Sequence, residues 1–245
     1  MTENFTEDDY IAALIELHEG TEFKGPGDKD YSWKVMTSLP GLPPNPRIAD
    51  LGCGSGVMTL LLATHFGGAV KAVDLSPDFI EELRRNIAAA GLGDRVEAIC
   101  ADMGALEWPP ASLDLIWSEG AAYNLGFERA LTLWRPLLAP GGLAVISELS
   151  WFSDARPGPV LDYWQATYPV MGSEADNQAH AGRAGFEVLE VRRLPPESWW
   201  RNYYDPLKAR MQQVERTPAM AAVIEETNTE MDLFRRFSDA YGYSF

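Results

Sequence analysis

An alternation of short apolar runs with amphipathic stretches between residues 47 and 149 constrains the fold of this chain more than any other feature. The apolar runs predict strands at 47–51, 69–74, 95–100, 113–118 and 142–149. The stretches between them predict helices at 56–66, 77–90 and 131–138. Repeated strand–helix units of this size favour a parallel, doubly wound sheet whose strands are joined by right-handed crossovers.

Outside this region the patterns are weaker but still predict regular structure. The helical spacing of apolar residues predicts helices at 6–18, 30–39, 158–167 and 174–184, and a helical tail from about Tyr203. The stretch FEVLEVRRL at 186–194 predicts a sixth strand. The sequence PGLPPNP at 40–46 is too rich in proline for either regular structure, so it predicts a linker into the main fold.

A glycine-rich loop, DLGCGSG at 50–56, follows the first predicted strand and leads into a helix. Free backbone N–H groups and the positive end of the helix dipole make such a loop a site for anionic groups, and glycine lets a ligand approach the backbone. The dinucleotide fingerprint would require a glycine at position 57, where this chain has Val57. A nucleotide-dependent dehydrogenase is therefore disfavoured.

The glycine loop resembles the first motif of the class I S-adenosylmethionine-dependent methyltransferases. Three further segments support the resemblance in the expected order: KAVDLSP with Asp74, CADM with Asp102, and LLAPGG at 137–142. The resemblance implies that the loop wraps the amino-acid end of S-adenosylmethionine, that Asp74 accepts both ribose hydroxyls, and that Asp102 accepts the adenine amino group while Met103 packs on the ring. The implied cofactor-binding residues are Asp50, Gly52, Cys53, Gly54, Asp74, Leu75, Asp102, Met103, Ser118 and Glu119.

The same resemblance predicts the architecture of the whole chain. It implies an α/β fold of the Rossmann-like, doubly wound type, with a mainly parallel seven-stranded sheet, helices on both faces, N-terminal helices and an aromatic-rich lid. We therefore predict an N-terminal helical cap and linker at 1–46 and a methyltransferase domain at 47–245. The lid is expected as an insertion at about 151–175, and the domain ends in a helical tail.

The segment after the fourth predicted strand, SEGAAYNLG at 118–126, points to the acceptor. It lacks the N-P-P-[FY] tetrapeptide typical of adenine, cytosine or glutamine amino-methyltransferases. It resembles instead the methyltransferase type 11 and ubiquinone-biosynthesis-type small-molecule enzymes, as does SELSWF at 147–152. The resemblance implies catalytic candidates Glu119, Glu148 and Tyr123. For Glu148 the alternative is a salt bridge to an arginine or a helix cap.

Aromatic residues are concentrated in the parts of the chain least like the common fold. They predict a lid and an acceptor pocket that exclude water, although aromatic residues also fill protein cores. The candidate substrate contacts are Tyr123, Asn124, Trp151, Trp199 and Tyr203. The predicted function is methyl transfer to a small-molecule acceptor by in-line displacement, and the alternative is a non-catalytic relative that binds S-adenosylmethionine or a partner.

Composition limits the possible partners and the compartment. The net charge is −16, which repels the phosphates of nucleic acids and anionic bilayers, so we predict neither nucleic-acid nor membrane binding. The acidic start is unlike a signal peptide, so a cytoplasmic location is expected. The two cysteines and three histidines lie far apart and predict no metal site. The oligomeric state is open between monomer and homodimer.

Overall fold

The structure, a computed structural model, describes residues 5–245, so the first four residues of the predicted N-terminal cap lie outside the described residues. The strands are β1 Ile48–Leu51, β2 Val70–Asp74, β3 Val96–Cys100, β4 Leu113–Ser118, β5 Leu138–Ile146, β6 Glu148–Trp151 and β7 Tyr241–Ser244. The helices are α1 Glu7–His18, α2 Lys29–Ser38, α3 Val57–Phe66, α4 Pro77–Ala90, α5 Phe127–Trp134, α6 Gly158–Thr167, α7 Glu174–Arg183, α8 Pro196–Trp199, α9 Asp205–Arg210 and α10 Pro218–Phe237.

Five strands form a parallel sheet in the order β3-β2-β1-β4-β5. The central strands are apolar on both sides because helices cover both faces of the sheet. The chain order reverses between β1 and β4, and a doubly wound sheet has its ligand crevice outside the carboxyl ends of the strands at such a reversal. The predicted Rossmann-like, mainly parallel α/β architecture is confirmed.

The prediction of seven strands in one sheet is wrong. Beside the five parallel strands, β6 and β7 pair with each other as a separate antiparallel ribbon, with Glu148 opposite Ser244. The predicted strand at 142–149 therefore becomes two strands, because the chain leaves the parallel sheet at Ser147. The buried Ser147 hydroxyl accepts a hydrogen bond from the N–H of Gly120 at 2.8 Å, which fixes this break against the end of β4.

The predicted strand at 186–194 is also absent. This segment reaches the ribbon only at its end, through a bridge between Arg193 and Ser244 and hydrogen bonds between Arg192 and Phe245. Because β7 pairs with β6, no strand lies between β5 and residues 186–191. A groove of about 530 Å³ separates them instead. The alternating pattern at 186–194 had the composition of a strand but lacked an adjacent edge with which to pair.

A third layer consists of helices and the β6–β7 ribbon beyond the end of the sheet. Helices α1, α6, α9 and α10 pack together with this ribbon around a core rich in aromatic residues. Its largest fully buried side chains are Trp151, Trp199, Tyr204, Phe234 and Tyr241. Helix α6, within the predicted lid, packs on α10. Across residues 5–245, no helix combines the length and the apolar character that crossing a membrane requires.

Candidate functional site

The glycine loop is tied to the neighbouring strand β2 by its own backbone. The N–H groups of Gly52 and Cys53 donate to the carbonyl oxygen of Val73 on β2, at 2.8 and 3.0 Å. Asp50, which precedes the loop, is 2% exposed and accepts a hydrogen bond from the Thr59 hydroxyl at 2.5 Å. Burial raises the pKa of Asp50 to about 7. Asp50 therefore links β1 to α3 and holds the start of the loop.

Packing explains why two of the loop positions are glycine. Gly52 has a φ of +77°, and a Cβ there would lie 2.2 Å from the Cβ of Ala121 in the turn after β4. Gly56 has a φ of +90°, and its Cβ would lie 2.1 Å from the Leu83 side chain of α4. Gly52 thus brings the loop against the turn after β4, where the catalytic candidates lie, and Gly56 brings it against α4.

Asp74 ends β2 and stabilises the glycine loop. One carboxylate oxygen accepts the N–H of Gly54 and the other accepts the N–H of Ser76, both at 2.9 Å. Burial raises the pKa of this carboxyl, and these backbone hydrogen bonds oppose the shift. Each oxygen has a further lone pair for a ligand hydroxyl. The adjacent Leu75 is 72% exposed, so the carboxylate adjoins an uncovered apolar side chain.

Asp102 and Met103 lie on the neighbouring strand end. Asp74 pairs with Cys100, two residues before Asp102, so the two aspartates follow adjacent parallel strands. Asp102 is exposed, and one of its oxygens accepts the N–H of Gly104 at 2.7 Å. The Met103 sulfur lies 3.7 Å from the position a Cβ would take on Gly52. The two aspartates and this thioether form a continuous edge along the ends of β2 and β3.

Ser118 is buried and Glu119 is half-buried, although they are adjacent at the end of β4. Ser118 is fully buried, and its hydroxyl donates to the carbonyl oxygen of Leu51 at 2.8 Å, which links β4 to β1. Glu119 accepts hydrogen bonds from the Ser32 hydroxyl at 2.7 Å and from the Trp117 indole at 2.8 Å on one carboxylate oxygen. Burial, together with the charge of Asp50, raises the pKa of Glu119 to about 7.

The N-terminal segment contributes residues to this site that sequence reasoning missed. The Lys24 side chain lies over the loop, with its Cγ 3.1 Å from the position a Cβ would take on Gly54, and its ammonium group pairs with Glu82 at 2.9 Å. Asp28 is the N-cap of α2, and its carboxylate accepts hydrogen bonds from the Ser198 hydroxyl and the Arg201 guanidinium, both at 2.6 Å. The turn sequence FKGPGD at 23–28 is the sequence feature that could have indicated a role for this segment in the site.

Glu148 is a buried carboxyl with an incomplete set of partners. It is 3% exposed, and one oxygen accepts the Tyr168 hydroxyl at 2.9 Å while the other oxygen has no hydrogen-bond partner. Burial raises the pKa of Glu148 to about 8. Among residues 5–245, no arginine or lysine forms an ion pair with it, so the alternative role as an arginine salt bridge finds no support.

The candidate substrate residues divide into exposed and buried groups. Tyr123 is 40% exposed and its ring meets the edge of Tyr168 at 5.9 Å between centroids. Asn124 is exposed, and its amide donates to the Ala121 carbonyl. The Tyr203 hydroxyl lies 3.1 Å from Nε2 of His18. Tyr123 and Asn124 are exposed in the turn after β4, whereas Tyr203 is half-buried against the core of the helical layer.

Trp151 and Trp199 have buried positions. Each is 2% exposed. The Trp151 ring packs on Tyr241, and the Trp199 ring stacks between Phe234 at 4.2 Å and Tyr243 at 5.2 Å. We therefore assign these two side chains to the core of the helical layer instead of to the pocket wall. Their burial follows from the large apolar area of an indole ring.

The buried carboxyls predict a stability that falls as pH rises. The pKa is about 7 for Asp50 and Glu119 and about 8 for Glu148, all raised by burial, so the folded protein retains protons that the unfolded chain releases. The free energy of unfolding should therefore decrease from about pH 5 to about pH 8 and level off above that range. For Glu148 alone we expect a loss of about 3–4 kcal/mol across this interval.

Urea unfolding of the wild type and of Glu148→Gln between these pH values checks this expectation. Glu148→Gln should unfold with a flatter pH dependence, because glutamine does not titrate, and should be more stable than the wild type at the alkaline end. The exposed Glu225→Gln is the matched control and should follow the wild-type profile. Parallel profiles for wild type and Glu148→Gln would contradict the assignment.

Comparison with known proteins identifies relatives of the region that carries this site. The family model described as a methyltransferase domain matches residues 48–142. The carboxy-S-adenosyl-L-methionine synthase of Shewanella loihica is 34% identical over 173 residues, covering 68% of this chain and 68% of that protein. The 2-methyl-6-phytyl-1,4-hydroquinone methyltransferase of Synechocystis is 29% identical over 151 residues, covering 61% of this chain. The match covers only 45% of the Synechocystis protein.

Among solved structures, a methyltransferase from Geobacter sulfurreducens in complex with S-adenosyl-L-homocysteine superposes with a TM-score of 0.80. The two chains are 20% identical, and the superposition covers 95% of each. At 20% identity this superposition establishes that the two proteins share a fold. The shared fold includes the helical layer, which lies outside the residues 48–142 that the family model matches. Within residues 5–245, no group of three or more His, Cys, Asp or Glu side chains is placed to hold a metal ion.

Proposed function

The chain belongs to the class I S-adenosylmethionine-dependent methyltransferases, and from this membership we propose that it transfers a methyl group to a small-molecule acceptor by in-line displacement. Its cofactor is accordingly S-adenosylmethionine. The observation that carries the proposal is the series of carboxylates at the ends of β1, β2, β3 and β4, which meet at one edge of the sheet. The cytoplasmic location and the choice between monomer and homodimer stay predictions.

The nucleoside half of the cofactor fits the edge along β2 and β3. Asp74 would accept the ribose hydroxyls with the lone pairs that Gly54 and Ser76 leave free, and its anchored position makes this a preorganised contact. Leu75 supplies an uncovered apolar side chain that would pack on the adenine ring. Asp102 is exposed and would accept the exocyclic amino group.

The amino-acid half fits between the glycine loop and Glu119. This carboxyl is held on one oxygen by Ser32 and Trp117, which orients the other toward a ligand ammonium group. Asp50 adds negative charge beneath the loop. Since burial raises the pKa of both carboxyls to about 7, a cationic group bound beside them would favour their ionised forms.

The bound cofactor supplies a methyl group on a positively charged sulfur, and the chain supplies alignment. Tyr123 and Asn124 follow Glu119 in the turn after β4, so we assign them to the acceptor side of the cleft. Glu148 approaches the same side through Tyr168 and can take a proton from the acceptor, because its raised pKa matches neutral pH. Holding the acceptor atom in line with the breaking bond is the main source of acceleration.

Glu119→Gln tests the role of this carboxylate in cofactor binding. We expect the affinity for S-adenosylmethionine to fall about tenfold, because glutamine cannot neutralise an ammonium group. Calorimetric titration gives the dissociation constant, and Glu107→Gln, an exposed substitution, should leave it unchanged. Equal affinities for wild type and Glu119→Gln would remove Glu119 from the proposed cofactor contacts.

The release of S-adenosylhomocysteine tests the proposed function itself. The purified protein is incubated with S-adenosylmethionine and panels of small amines, phenols, carboxylic acids and short oligonucleotides. Product formed with one of the small molecules supports the proposal. Tight cofactor binding with no product from any panel would favour the non-catalytic alternative, and product formed only with oligonucleotides would contradict the small-molecule acceptor.

A further inference from the structure

The stretch from the end of α1 to the start of α2, residues 18–28, lies against the glycine loop, and we call it the covering segment. The Lys24 side chain packs on the loop, with its Cγ 3.1 Å from the position a Cβ would take on Gly54. Its ammonium group donates to the carbonyl oxygens of His18 and Thr21, both at 3.0 Å, and so closes the segment into a compact turn. The covering segment therefore adjoins the loop proposed to hold the amino-acid half of the cofactor.

Three consecutive residues that follow α8 hold the covering segment from the side of the helical layer. Their contacts are Arg201 with the Asp28 carboxylate at 2.6 Å, Asn202 with the Gly27 carbonyl oxygen at 2.8 Å, and the Tyr203 hydroxyl with Nε2 of His18 at 3.1 Å. All three residues belong to one π-helical turn, Trp200–Tyr204. Such turns are rare and are frequently found at functional sites. The helical layer thus holds the covering segment at both of its ends.

Asp28 connects the helical layer to α2 through its two carboxylate oxygens. One oxygen caps the helix by accepting the N–H groups of Asp30 and Tyr31, at 2.9 and 3.2 Å. The other oxygen accepts the Ser198 hydroxyl and the Arg201 guanidinium. Burial alone would raise the pKa of Asp28, but these hydrogen bonds and the charge of Arg201 lower it, so the carboxylate is ionised at neutral pH.

The first turn of α2 links Asp28 to the cofactor site. The Asp28 carbonyl oxygen accepts the N–H of Ser32 at 2.9 Å, which is the first hydrogen bond of the helix. Ser32 is fully buried, and its hydroxyl donates to the Glu119 carboxylate at 2.7 Å. The position of the hydroxyl that holds Glu119 therefore depends on where α2 begins, and Asp28 fixes that point.

We propose that Asp28 and Arg201 are positioning residues for the cofactor: their ion pair fixes the covering segment against the glycine loop and the start of α2, so that the helical layer determines how tightly the amino-acid half of the cofactor is held. The inference rests on the proposed function. The two residues act through the covering segment and through Ser32. The nucleoside half is assigned to the edge along β2 and β3, whose carboxylates are held by backbone N–H groups outside the covering segment, so its binding should depend little on this ion pair.

Arg201→Met tests the proposal with little risk to folding. The Arg201 side chain is 65% exposed, so its replacement opens no cavity, but it leaves the buried Asp28 carboxylate without its cationic partner. We expect the dissociation constant for S-adenosylhomocysteine to rise about fivefold in calorimetric titration. The dissociation constant for 5′-methylthioadenosine, which lacks the amino-acid half and is titrated as a competitor of S-adenosylhomocysteine, should stay within about twofold of the wild-type value.

Three further variants separate positioning from a general effect on folding. Arg236→Met removes another exposed guanidinium, which pairs with Asp232 at 3.1 Å, and should change neither dissociation constant. Arg201→Lys keeps the positive charge and should recover most of the affinity that Arg201→Met loses. Ser32→Ala should weaken the binding of S-adenosylhomocysteine by itself. Adding Arg201→Met to it should weaken binding by less than about fivefold more, because both changes act on the same contact with Glu119.

The outcomes separate this inference from the proposed function. Failure of the wild type to bind S-adenosylhomocysteine would overturn the proposed function itself. Binding by the wild type with an equal dissociation constant in Arg201→Met would overturn the inference and leave the methyltransferase proposal intact. An equal loss for S-adenosylhomocysteine and 5′-methylthioadenosine would also overturn it, since a general distortion of the site weakens both ligands. A loss confined to S-adenosylhomocysteine and recovered in Arg201→Lys would support the assignment of Asp28 and Arg201.

Discussion

Asp74→Asn should weaken the binding of S-adenosylhomocysteine about 100-fold. The substitution keeps the size of the side chain but removes the charge that would accept two ribose hydroxyls. It also replaces one acceptor oxygen with an amide nitrogen, which accepts no hydrogen bond. The side chain can therefore no longer accept the N–H groups of both Gly54 and Ser76. Loss of these contacts together removes about 3 kcal/mol of binding free energy. Calorimetric titration measures the change directly.

Asp78→Asn is the matched control for this prediction. Asp78 lies four residues further along the chain, in the first turn of α4, and its side chain is exposed. Its replacement should leave the dissociation constant within twofold of the wild-type value, because solvent-exposed charges contribute little interaction energy. An unchanged affinity for Asp74→Asn would show that the ribose is held elsewhere, and the assignment of the β2 and β3 edge to the nucleoside would be wrong.

Trp199→Ala should destabilise the protein by about 3–5 kcal/mol. The indole ring is 2% exposed and stacks between Phe234 and Tyr243, so its removal leaves a cavity where α8, α10 and β7 meet. Urea unfolding should show a lower midpoint with an unchanged slope, because the surface exposed on unfolding stays similar. The loss is large because stacked aromatic rings cannot collapse into the space that an indole leaves.

Trp33→Ala provides the comparison with an exposed tryptophan. Trp33 on α2 is 42% exposed and contacts the edge of the His65 ring. Its replacement should cost less than about 1 kcal/mol. The sequence predicts Trp199 as an acceptor contact, and a changed KM at unchanged stability in Trp199→Ala would favour that role over the packing role assigned from the structure.

Local sequence signals predicted those parts of the fold that depend on neighbouring residues. Thr6 followed by Asp9 is the pattern of a capping box and predicts a helix start, and the structure shows both hydrogen bonds of that box before Glu7–His18. Ser76 and Pro77 are typical of a helix start and Gly91 of a helix end, and α4 runs from Pro77 to Ala90. Capping and helix termination involve residues within one turn of each other, so the sequence contains the whole signal.

Boundaries that depend on the rest of the fold were predicted less well. The helix predicted at 131–138 is observed earlier, as α5 Phe127–Trp134. Gly126, with a φ of +80°, is its N-cap, and Leu138 is already paired with Leu113 in the sheet. The proline and glycines of APGG at 139–142 predict a turn before the strand, but the structure places them within β5 as an irregularity. Competition between helix and sheet for the same residues is decided by which neighbour is available to pair.

The sequence alone determined the family, the parallel sheet and the order of the acidic residues along its edge. The sheet and the order of the acidic residues follow from period and spacing within short segments, since each of Asp50, Asp74 and Asp102 stands at or just after the end of an apolar run. The family follows from the resemblance of the glycine loop and the three later segments to known motifs. Only the tertiary structure decided that Glu119 is held by Ser32, that Tyr204 meets Glu230, and that β6 pairs with β7 instead of continuing the sheet. Those contacts join residues far apart in the chain, and packing between layers selects them among many partners of equal local propensity.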